Sequence, residues 1–134
     1  IWNPIPDISC AGGGGCVLPT DTIYVNSTTG DDGLGTGDIL CPVKGLAQTI
    51  TLSSSGNVIK LEVGTHIVSS QITLGSLNDF ALTIVGGSSD ATQTIIEAGG
   101  ANRLIYGNSS FHNGSSEAWA WKNLTIQNFN GADE

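Results

Sequence analysis

The 134-residue chain has few charged side chains and very few basic ones. Lysine and arginine together number 4, against 12 aspartates and glutamates, so the formal net charge is -8. A chain with so few cations cannot neutralise a phosphate backbone along an extended surface. We therefore expect no nucleic-acid partner.

Methionine and long apolar runs are also missing. No stretch approaches the roughly 18 consecutive apolar residues that a transmembrane helix needs, so no membrane span is expected. Translation begins with methionine, whereas this sequence begins at Ile1 with no basic segment before it. A cleaved signal peptide is the expected explanation, and it predicts a secreted chain that acts outside the cell or at the cell surface.

Cysteine is scarce, and its spacing does not suit a zinc site. Cys10, Cys16 and Cys41 contain no Cys-x-x-Cys or Cys/His cluster. We expect a disulfide, either between Cys10 and Cys16 or between one of these two and Cys41. The remaining cysteine would bond to another chain or stay as a buried thiol.

Four Asn-x-Ser/Thr sequons favour the same compartment, because this motif is the acceptor for N-linked glycans in secreted proteins. The acceptor residues are Asn26, Asn108, Asn113 and Asn123. The sequence thus predicts a glycosylated extracellular chain.

What is abundant is glycine, with 19 residues, which together with many serines and threonines indicates turns and β structure in a single domain. Residues 1–20 hold three of the four prolines and a run of four glycines, and they predict an extended N-terminal arm before a domain at 21–134. The apolar arm residues Trp2, Ile5 and Ile8 pack either on their own domain or on a neighbouring copy.

An acidic loop follows the first predicted strand. Asp31, Asp32 and Asp38 could supply oxygen ligands to calcium, but their spacing does not match the EF-hand pattern. A solvated turn is the alternative interpretation. No other cofactor is expected.

Beyond this loop the chain shows one helical pattern and then alternating strands. Residues 43–52 place Leu46, Ala47 and Ile50 on one apolar stripe, which predicts a short helix. Residues 58–74 alternate apolar and polar side chains on both sides of a Gly64-Thr65 turn, which predicts two half-buried strands with Ile59, Ile67 and similar residues facing a core.

The alternating pattern also recurs along the sequence. One series of four leucines repeats at intervals of about 20 residues, and repeats of that period predict a solenoid of stacked parallel strands. The members of this series are Leu61, Leu82, Leu104 and Leu124. A second series comprises Ile72, Ile95 and the segment 119–121. A sandwich of hairpins, the alternative, would need more two-residue Asn-Gly or Asp-Gly turns.

In this order of features the chain resembles the N-terminal portion of the pectin-lyase-like right-handed parallel β-helix proteins, over about residues 22 to 130. The matching features are a Tyr-Val strand at 23–25, a Gly-Asp…Gly-Thr loop at 30–36, Cys-Pro and a helix at 41–52, a strand with a Gly-Thr turn at 58–68, and Asn-Leu-Thr-Ile at 123–126. The resemblance implies an all-β fold, a right-handed parallel β-helix. In that superfamily the helix near 43–52 caps the open N-terminal end of the coils.

The catalytic motifs of that superfamily are missing. Pectate lyases use clustered acidic calcium ligands with an Arg or Lys base, and polygalacturonases use Asn-x-Asp, Asp-Asp, Gly-His-Gly and Arg-Ile-Lys. Glu62 and Glu97 fall in different strand series and are predicted to be solvated, and His66 and His112 are predicted to be surface residues. We therefore predict no catalytic residue and no enzyme activity.

Two tryptophans offer a possible contact with carbohydrate. Trp119 and Trp121 share one face of a predicted strand, and sugars stack on exposed aromatic rings. The alternative is that both rings fill the core of the last coil or cover its open end.

A stack of coils has two ends, each with unpaired backbone groups and an exposed apolar interior. Since the helix covers only one end, we predict a secreted, glycosylated, non-catalytic structural or adhesive protein. It would associate head to tail through the N-terminal arm and the open C-terminal coil, forming a filament or surface layer. The alternative is the N-terminal part of a larger polysaccharide-active lyase or hydrolase, or of a carbohydrate-binding adhesin.

Overall fold

The computed structural model describes residues 16–17, 19–74, 80–101, 103–107 and 119–130. Its secondary structure consists of short strands and one helix. The elements in chain order are β1 (Thr22–Val25), α1 (Leu46–Leu52), β2 (Val58–Leu61), β3 (Gly64–Val68), β4 (Ile72–Leu74), β5 (Leu82–Gly86), β6 (Thr94–Ala98), β7 (Ile105–Gly107), β8 (Trp119–Lys122) and β9 (Thr125–Gln127).

The strands form three small sheets, and within each sheet every pair of neighbouring strands is parallel. The four-stranded sheet has the order β1-β2-β5-β8, the three-stranded sheet β3-β6-β9, and the two-stranded sheet β4-β7. Each sheet therefore adds its strands in chain order. We call the side formed by β8 and β9 the late edge, and the side formed by β1 and β3 the early edge.

Alternation of side chains explains which face of each sheet is buried. In β2, Ile59 and Leu61 are fully buried and Lys60 between them is exposed. The neighbouring strand buries the same face, because Ile59 lies in register with Ile84 of β5, which is also fully buried. Each such side chain contributes about 1.5 to 3 kcal/mol when removed from water, so these columns of apolar residues hold the sheets together.

The predicted all-β, right-handed parallel β-helix is wrong. Within the described ranges the strands lie in three separate small parallel sheets with one helix, and no closed solenoid is formed. The solenoid prediction rests on a nearly even interval of about 20 residues between like strands. That interval is not constant here, since Ile23 pairs with Ile59 across a loop and a helix, whereas Ile59 pairs with Ile84 across two strands.

The two predicted repeat series are wrong for the same reason. Leu61 lies in register with Gly86 and not with Leu82, while Leu104 and Leu124 lie outside the strands, just before β7 and β9. In the second series, Ile72, Ile95 and residues 119–121 belong to three different sheets. The segments that connect the strands differ in length. Residues that are evenly spaced in the sequence therefore do not lie in register in neighbouring strands.

Helix α1 lies within the range that the apolar stripe indicated, and it buries two of the three residues of that stripe, with Thr49 in place of Ala47. Its buried residues are Leu46, Thr49 and Ile50, whereas Ala47 is exposed. Thr49 is tolerated inside because its Oγ1 donates a hydrogen bond to the Gly45 carbonyl at 2.8 Å. The helix packs against β1 and β3, so it covers the early edge.

The outer side of β1 is paired as well. Val25 forms a parallel bridge with Val43, the Asn26 N–H donates to the Val43 carbonyl at 2.9 Å, and the Tyr24 N–H donates to the Gly37 carbonyl at 2.8 Å. A disulfide between Cys16 and Cys41 ties the preceding chain to this segment. The early edge is thus closed by backbone pairing and by the helix together.

A buried asparagine fixes the strand β2 to the chain before β1. Asn57 is 6% exposed, and its Nδ2 donates to the Thr20 carbonyl at 2.8 Å and its Oδ1 accepts from the Ser54 N–H at 2.7 Å. Because both ends of the amide are bonded, its burial carries no unpaired polar group. The sequence reading did not single out this residue.

The strand β3 buries the opposite set of residues from the set that we predicted. His66 and Val68 are 3% and 6% exposed, whereas Ile67 is 56% exposed. The alternation is reset at Gly64, whose φ of 131° favours glycine. A shift of one residue exchanges the two faces of a strand, and this shift places His66 in the interior.

Candidate functional site

The late edge is the open side of two sheets in the described structure. β8 and β9 are the outermost strands of their sheets, and within the described residues no further strand pairs with either of them. Only Asn123 and Leu124 separate the two strands, so their free edges lie side by side. The outermost strand of a sheet can pair with a further strand.

Apolar side chains are exposed at the late edge. Ile126 of β9 lies in register with Ile96 of β6, but Ile96 is fully buried whereas Ile126 is 44% exposed. Trp119 and Trp121 lie in register with Leu82 and Ile84, which are buried, yet both tryptophans are only half-buried. The last row of the core is therefore exposed on the side where a further strand would lie.

The two tryptophans form a defined pair in this row. Their ring centroids are 6.4 Å apart and the ring planes are tilted by 43°. The Trp119 indole Nε1 donates to the Phe80 carbonyl at 3.0 Å, and both rings pack against the core cluster. Because the rings are tilted and half-buried, they form a shaped apolar surface and not a flat platform. Their predicted stacking on sugars stays a prediction.

Hydrogen bonds fix β9 and the segment after it. The Glu97 Oε1 accepts from the Asn128 Nδ2 at 2.6 Å and from the Gln127 Nε2 at 3.4 Å. The Thr125 Oγ1 donates to the Ala91 carbonyl at 2.9 Å. Glu97 is half-buried, and its description as a solvated carboxylate stays a prediction. Its carboxylate binds the side chains of Gln127 in β9 and of Asn128 directly after it.

The acidic loop uses its carboxylates separately. The Asp31 Oδ1 accepts from the Leu34 and Gly33 N–H groups at 2.8 and 2.7 Å, and these two bonds hold the pKa of Asp31 below its usual value. The Asp32 Oδ1 accepts from the Gly45 N–H at 2.7 Å, and the Asp38 Oδ1 from the Leu40 N–H at 2.9 Å. Among the described residues no three metal-binding side chains gather, and calcium stays a prediction.

A groove of about 410 Å³ lies between this loop, the start of α1 and the outward face of β3. Its lining combines hydroxyl groups with one acidic, one basic and one apolar side chain. The side chains that line it are those of Ser27, Thr28, Asp32, Lys44, Thr65 and Ile67. It continues along β3 toward Ser69 and Ser70. A surface of this kind can accept a polyhydroxylated ligand.

His66 lies inside the core, so its predicted surface position is wrong. Its Nε2 lies 2.7 Å from the Glu62 carbonyl, to which it donates, while its Nδ1 is buried with no partner within the described part of the chain. Burial lowers the pKa of His66, which keeps the ring neutral. The Thr94 Oγ1, on the neighbouring strand β6, is buried without a described partner too. His112 lies outside the described residues.

The four predicted glycan acceptors have different positions. The Asn26 Oδ1 accepts from the N–H groups of Thr28 and Thr29, both at 2.9 Å, so this side chain closes a turn. Asn123 is exposed between β8 and β9 with a φ of 56°. Asn108 and Asn113 lie outside the described residues. Glycosylation stays a prediction at all four.

Of the remaining predicted contacts, the cysteines are partly described. Cys16 pairs with Cys41, which is one of the pairings that the sequence left open. The two Cα atoms are 5.7 Å apart. Cys10 and the proposed arm contacts Trp2, Ile5 and Ile8 lie outside the described residues, as does all of 1–15.

Comparison with protein-family models, with curated proteins and with solved structures gives no significant match. The resemblance to the pectin-lyase-like proteins therefore receives no support from these comparisons. Within the described ranges the chain has no helix of the length and apolar character needed to cross a membrane.

Proposed function

We propose that the chain is a non-catalytic structural protein of the extracellular space that assembles with copies of itself through the late edge. The observation that supports this most is the difference between the two edges. The early edge is paired by Val43 and covered by α1. At the late edge no strand among the described residues follows β8 or β9, and Ile126 is exposed although its counterpart Ile96, one strand further in, is buried. An edge of this kind is stable in water only at a cost, and another chain removes that cost by pairing with it.

The free energies of burial and of association show which contacts such a partner must supply. Ile126 and the two tryptophans together gain a few kcal/mol when covered, at about 1.5 to 3 kcal/mol for a fully buried side chain. Association itself costs at least about 4 kcal/mol in lost translational and rotational freedom. Apolar contact with these three side chains is therefore insufficient, and backbone pairing along β8 and β9 must contribute. A partner that adds a β-strand supplies both apolar contact and backbone pairing.

Secretion is supported by the covalent features. The disulfide between Cys16 and Cys41 suits an oxidising compartment, and the sequons at Asn26 and Asn123 lie on residues that the structure describes as surface turns. A non-catalytic role is supported by the use of the acidic side chains, since Asp31 accepts from the Gly33 N–H in its own loop and Asp32 accepts from the Gly45 N–H directly before α1.

The test is the assembly state of the secreted, disulfide-bonded chain over a wide range of concentration, measured by sedimentation velocity. We expect larger species as concentration rises. Ile126→Lys places a charge on the late edge and should abolish assembly. Ile67→Lys, the same change at a residue that is 56% exposed on the outer face of β3, is the matched control and should assemble normally. A chain that stays monomeric throughout would contradict the proposal, as would an Ile126→Lys variant that assembles like the parent.

A second candidate function, carbohydrate binding, is favoured by the groove beside α1. Hydroxyl groups of Thr28 and Thr65 and the charged ends of Asp32 and Lys44 line one continuous surface. Calorimetric titration with neutral and uronic oligosaccharides would test it. Lys44→Ala should weaken binding, whereas Lys60→Ala, on the exposed side of β2, should not. Equal affinities for both variants would exclude the groove as the binding site.

A further inference from the structure

The predicted glycan acceptor Asn26 stands at the rim of the groove beside α1. The two residues that follow it in the sequon, Ser27 and Thr28, line that groove directly. A sugar attached to Asn26 would therefore begin next to a surface that carries hydroxyl groups of its own. Asn123 is the other acceptor within the described ranges, and no residue of its sequon lines the groove.

The side-chain amide of Asn26 is used in a way that leaves its nitrogen available. Its Oδ1 accepts from the N–H groups of Thr28 and Thr29, both at 2.9 Å. Its Nδ2 forms no hydrogen bond within the described part of the chain and is accessible to solvent. N-linked glycosylation replaces one hydrogen on this nitrogen and leaves the oxygen unchanged. The turn is therefore kept after modification.

The backbone of this turn is also fixed. The Asn26 N–H donates to the Val43 carbonyl at 2.9 Å, and the Asn26 carbonyl accepts from the Gly30 N–H at 2.9 Å. Gly30 lies so close to both carbonyl oxygens that a Cβ at this position would overlap them. A sugar joined to such a rigid anchor has a defined starting point, so little further freedom is lost when it lies along the groove.

We propose that Asn26 carries an N-linked glycan and that the groove beside α1 binds the first sugars of this glycan. The inference rests on the carbohydrate-binding function proposed for the groove and names its ligand. In the modification, the Asn26 Nδ2 attacks the anomeric carbon of an oligosaccharide carried on a lipid pyrophosphate, the donor of the secretory pathway. A C–N bond forms, the C–O bond to the pyrophosphate breaks and its electron pair leaves with the pyrophosphate, and the nitrogen loses one proton.

The chemistry of the groove suits the core of an N-linked glycan, which is uncharged and rich in hydroxyl groups. The lining has one acidic and one basic side chain, Asp32 and Lys44, so their formal charges balance. The hydroxyl groups of Ser27 and Thr65 can both donate and accept hydrogen bonds. Ile67 is 56% exposed and offers an apolar contact for the C–H face of a sugar ring. The volume of about 410 Å³ is within the range of small-ligand sites.

Covalent attachment explains how so modest a groove can hold a sugar. Its lining residues include no aromatic ring, so a free oligosaccharide would bind weakly. A sugar tethered at the rim acts at an effective concentration in the millimolar range, so a groove with a millimolar Kd for the free sugar is filled for about half the time or more. The chain's own glycan is therefore favoured over a free saccharide as the ligand.

The first test is the mass of the chain secreted by eukaryotic cells, after digestion with trypsin. Cleavage after lysine and arginine isolates Asn26 as the sole sequon of the peptide 1–44, and we expect that peptide to carry a glycan. Thr28→Val removes the sequon hydroxyl and should abolish the modification, whereas Thr28→Ser keeps the hydroxyl and should retain it. An unmodified peptide 1–44 in the parent would overturn the proposal.

The second test measures whether the glycan occupies the groove. The reference is the same sequence made in the periplasm of a bacterial host that attaches no N-glycan, because this compartment also allows the disulfide to form. The Lys44 ammonium should be acetylated at least about twofold more slowly in the glycosylated chain, since the sugar covers the groove for half the time or more. Lys60 is exposed on β2 and does not line the groove, so it should react equally in both chains. Equal rates at Lys44 would overturn the proposal, even with a glycan on Asn26.

A variant of the groove distinguishes binding from simple shielding. Ile67→Ser removes the apolar contact and should bring the acetylation rate of Lys44 toward that of the unglycosylated chain, while the mass of the glycan stays the same. Val63→Ser changes another exposed apolar residue, which does not line the groove, and should leave the protection unchanged. Full protection in Ile67→Ser would mean that the glycan shields Lys44 without lying in the groove, and would overturn the proposal.

These outcomes are distinguishable from those of the proposed functions. Assembly through the late edge is measured without any sugar and is unaffected by the result. If the unglycosylated chain binds neutral oligosaccharides in calorimetric titration but Asn26 is unmodified in the secreted chain, the groove is a site for free saccharides and only the assignment of the chain's own glycan is contradicted. A chain that binds neither a free sugar nor its own glycan contradicts both.

Discussion

A buried histidine should make the stability of this protein fall as the solution becomes acidic. His66 in β3 is 3% exposed, its Nε2 donates to the Glu62 carbonyl at 2.7 Å, and its Nδ1 is buried with no described partner. Adding a proton to Nδ1 would create an unpaired buried charge. Burial accordingly lowers the pKa of His66, and this outweighs the raising effects of the hydrogen bond to the Glu62 carbonyl and of the Glu62 carboxylate.

The size of the effect follows from proton linkage. In the unfolded chain a histidine has a pKa of about 6.5, so below that pH the unfolded state binds a proton that the folded state does not. The stabilisation is therefore fully present above the unfolded pKa and is lost as pH falls toward the lower folded pKa. For each pH unit below the unfolded pKa over which the folded ring stays neutral, the free energy of unfolding falls by about 1.4 kcal/mol.

The assay is urea unfolding at a series of pH values for the parent and for His66→Gln. Glutamine keeps an N–H donor at similar reach but does not titrate, so this variant should lose less stability than the parent as pH falls below about 6.5. Thr65→Gln, on the exposed side of the same strand, is the control and should follow the parent. The reasoning is refuted if His66→Gln and the parent lose stability equally as pH falls.

Three substitutions test other buried features by the same unfolding measurement. Asn57→Ala removes the hydrogen bonds of a buried amide to the Ser54 N–H and the Thr20 carbonyl and should cost about 1 to 3 kcal/mol. Thr94→Val removes a buried hydroxyl that has no described partner and should raise stability by up to about 1 kcal/mol. Gly86→Ala adds a Cβ that overlaps the Asn123 carbonyl oxygen beyond the end of β8 and should cost about 2 kcal/mol or more.

Two matched variants serve as controls for the threonine and glycine substitutions. Thr73→Val changes an exposed threonine of β4 and should leave stability almost unchanged, and Gly33→Ala adds a Cβ near only the Asp31 side chain. A Thr94→Val variant that is clearly less stable would mean that its hydroxyl has a partner, such as a buried water. A Gly86→Ala variant as stable as the parent would contradict the close approach of Asn123.

The local structure of the strands could be predicted from the sequence because alternation is a property of neighbouring residues. Ile59 and Leu61 are separated by one polar residue, and burial of one face follows directly from that spacing. The arrangement of strands could not be predicted, because it depends on the lengths of the connections. The loop and helix between Val25 and Val58, and the chain between β7 and β8, make the true intervals unequal. Leu61 and Leu82 belong to an evenly spaced series in the sequence, but they do not lie in register in the sheet.

The error at His66 has a separate cause. Continuing the alternation of β2 through the turn assigns Ile67 to the core, and an isoleucine is a more ordinary core residue than a histidine. Gly64 adopts a conformation that favours glycine and shifts the phase by one residue, so the polar side chain is buried and the apolar one is exposed. The Gly-Thr pair signals a turn in the sequence, but it does not give the phase of the strand that follows.

Two exposed isoleucines show what the structure adds to the interpretation of function. Ile67 is 56% exposed and Ile126 is 44% exposed, so exposure alone does not distinguish them. Ile67 alternates with the buried His66 and Val68 and therefore belongs to the outer face, where a single exposed apolar residue is common. Ile126 lies in register with the buried Ile96 and therefore belongs to the interior. Only an interior residue that is exposed indicates a missing layer, and this is why the partner is expected at β8 and β9 and not on the outer face of β3.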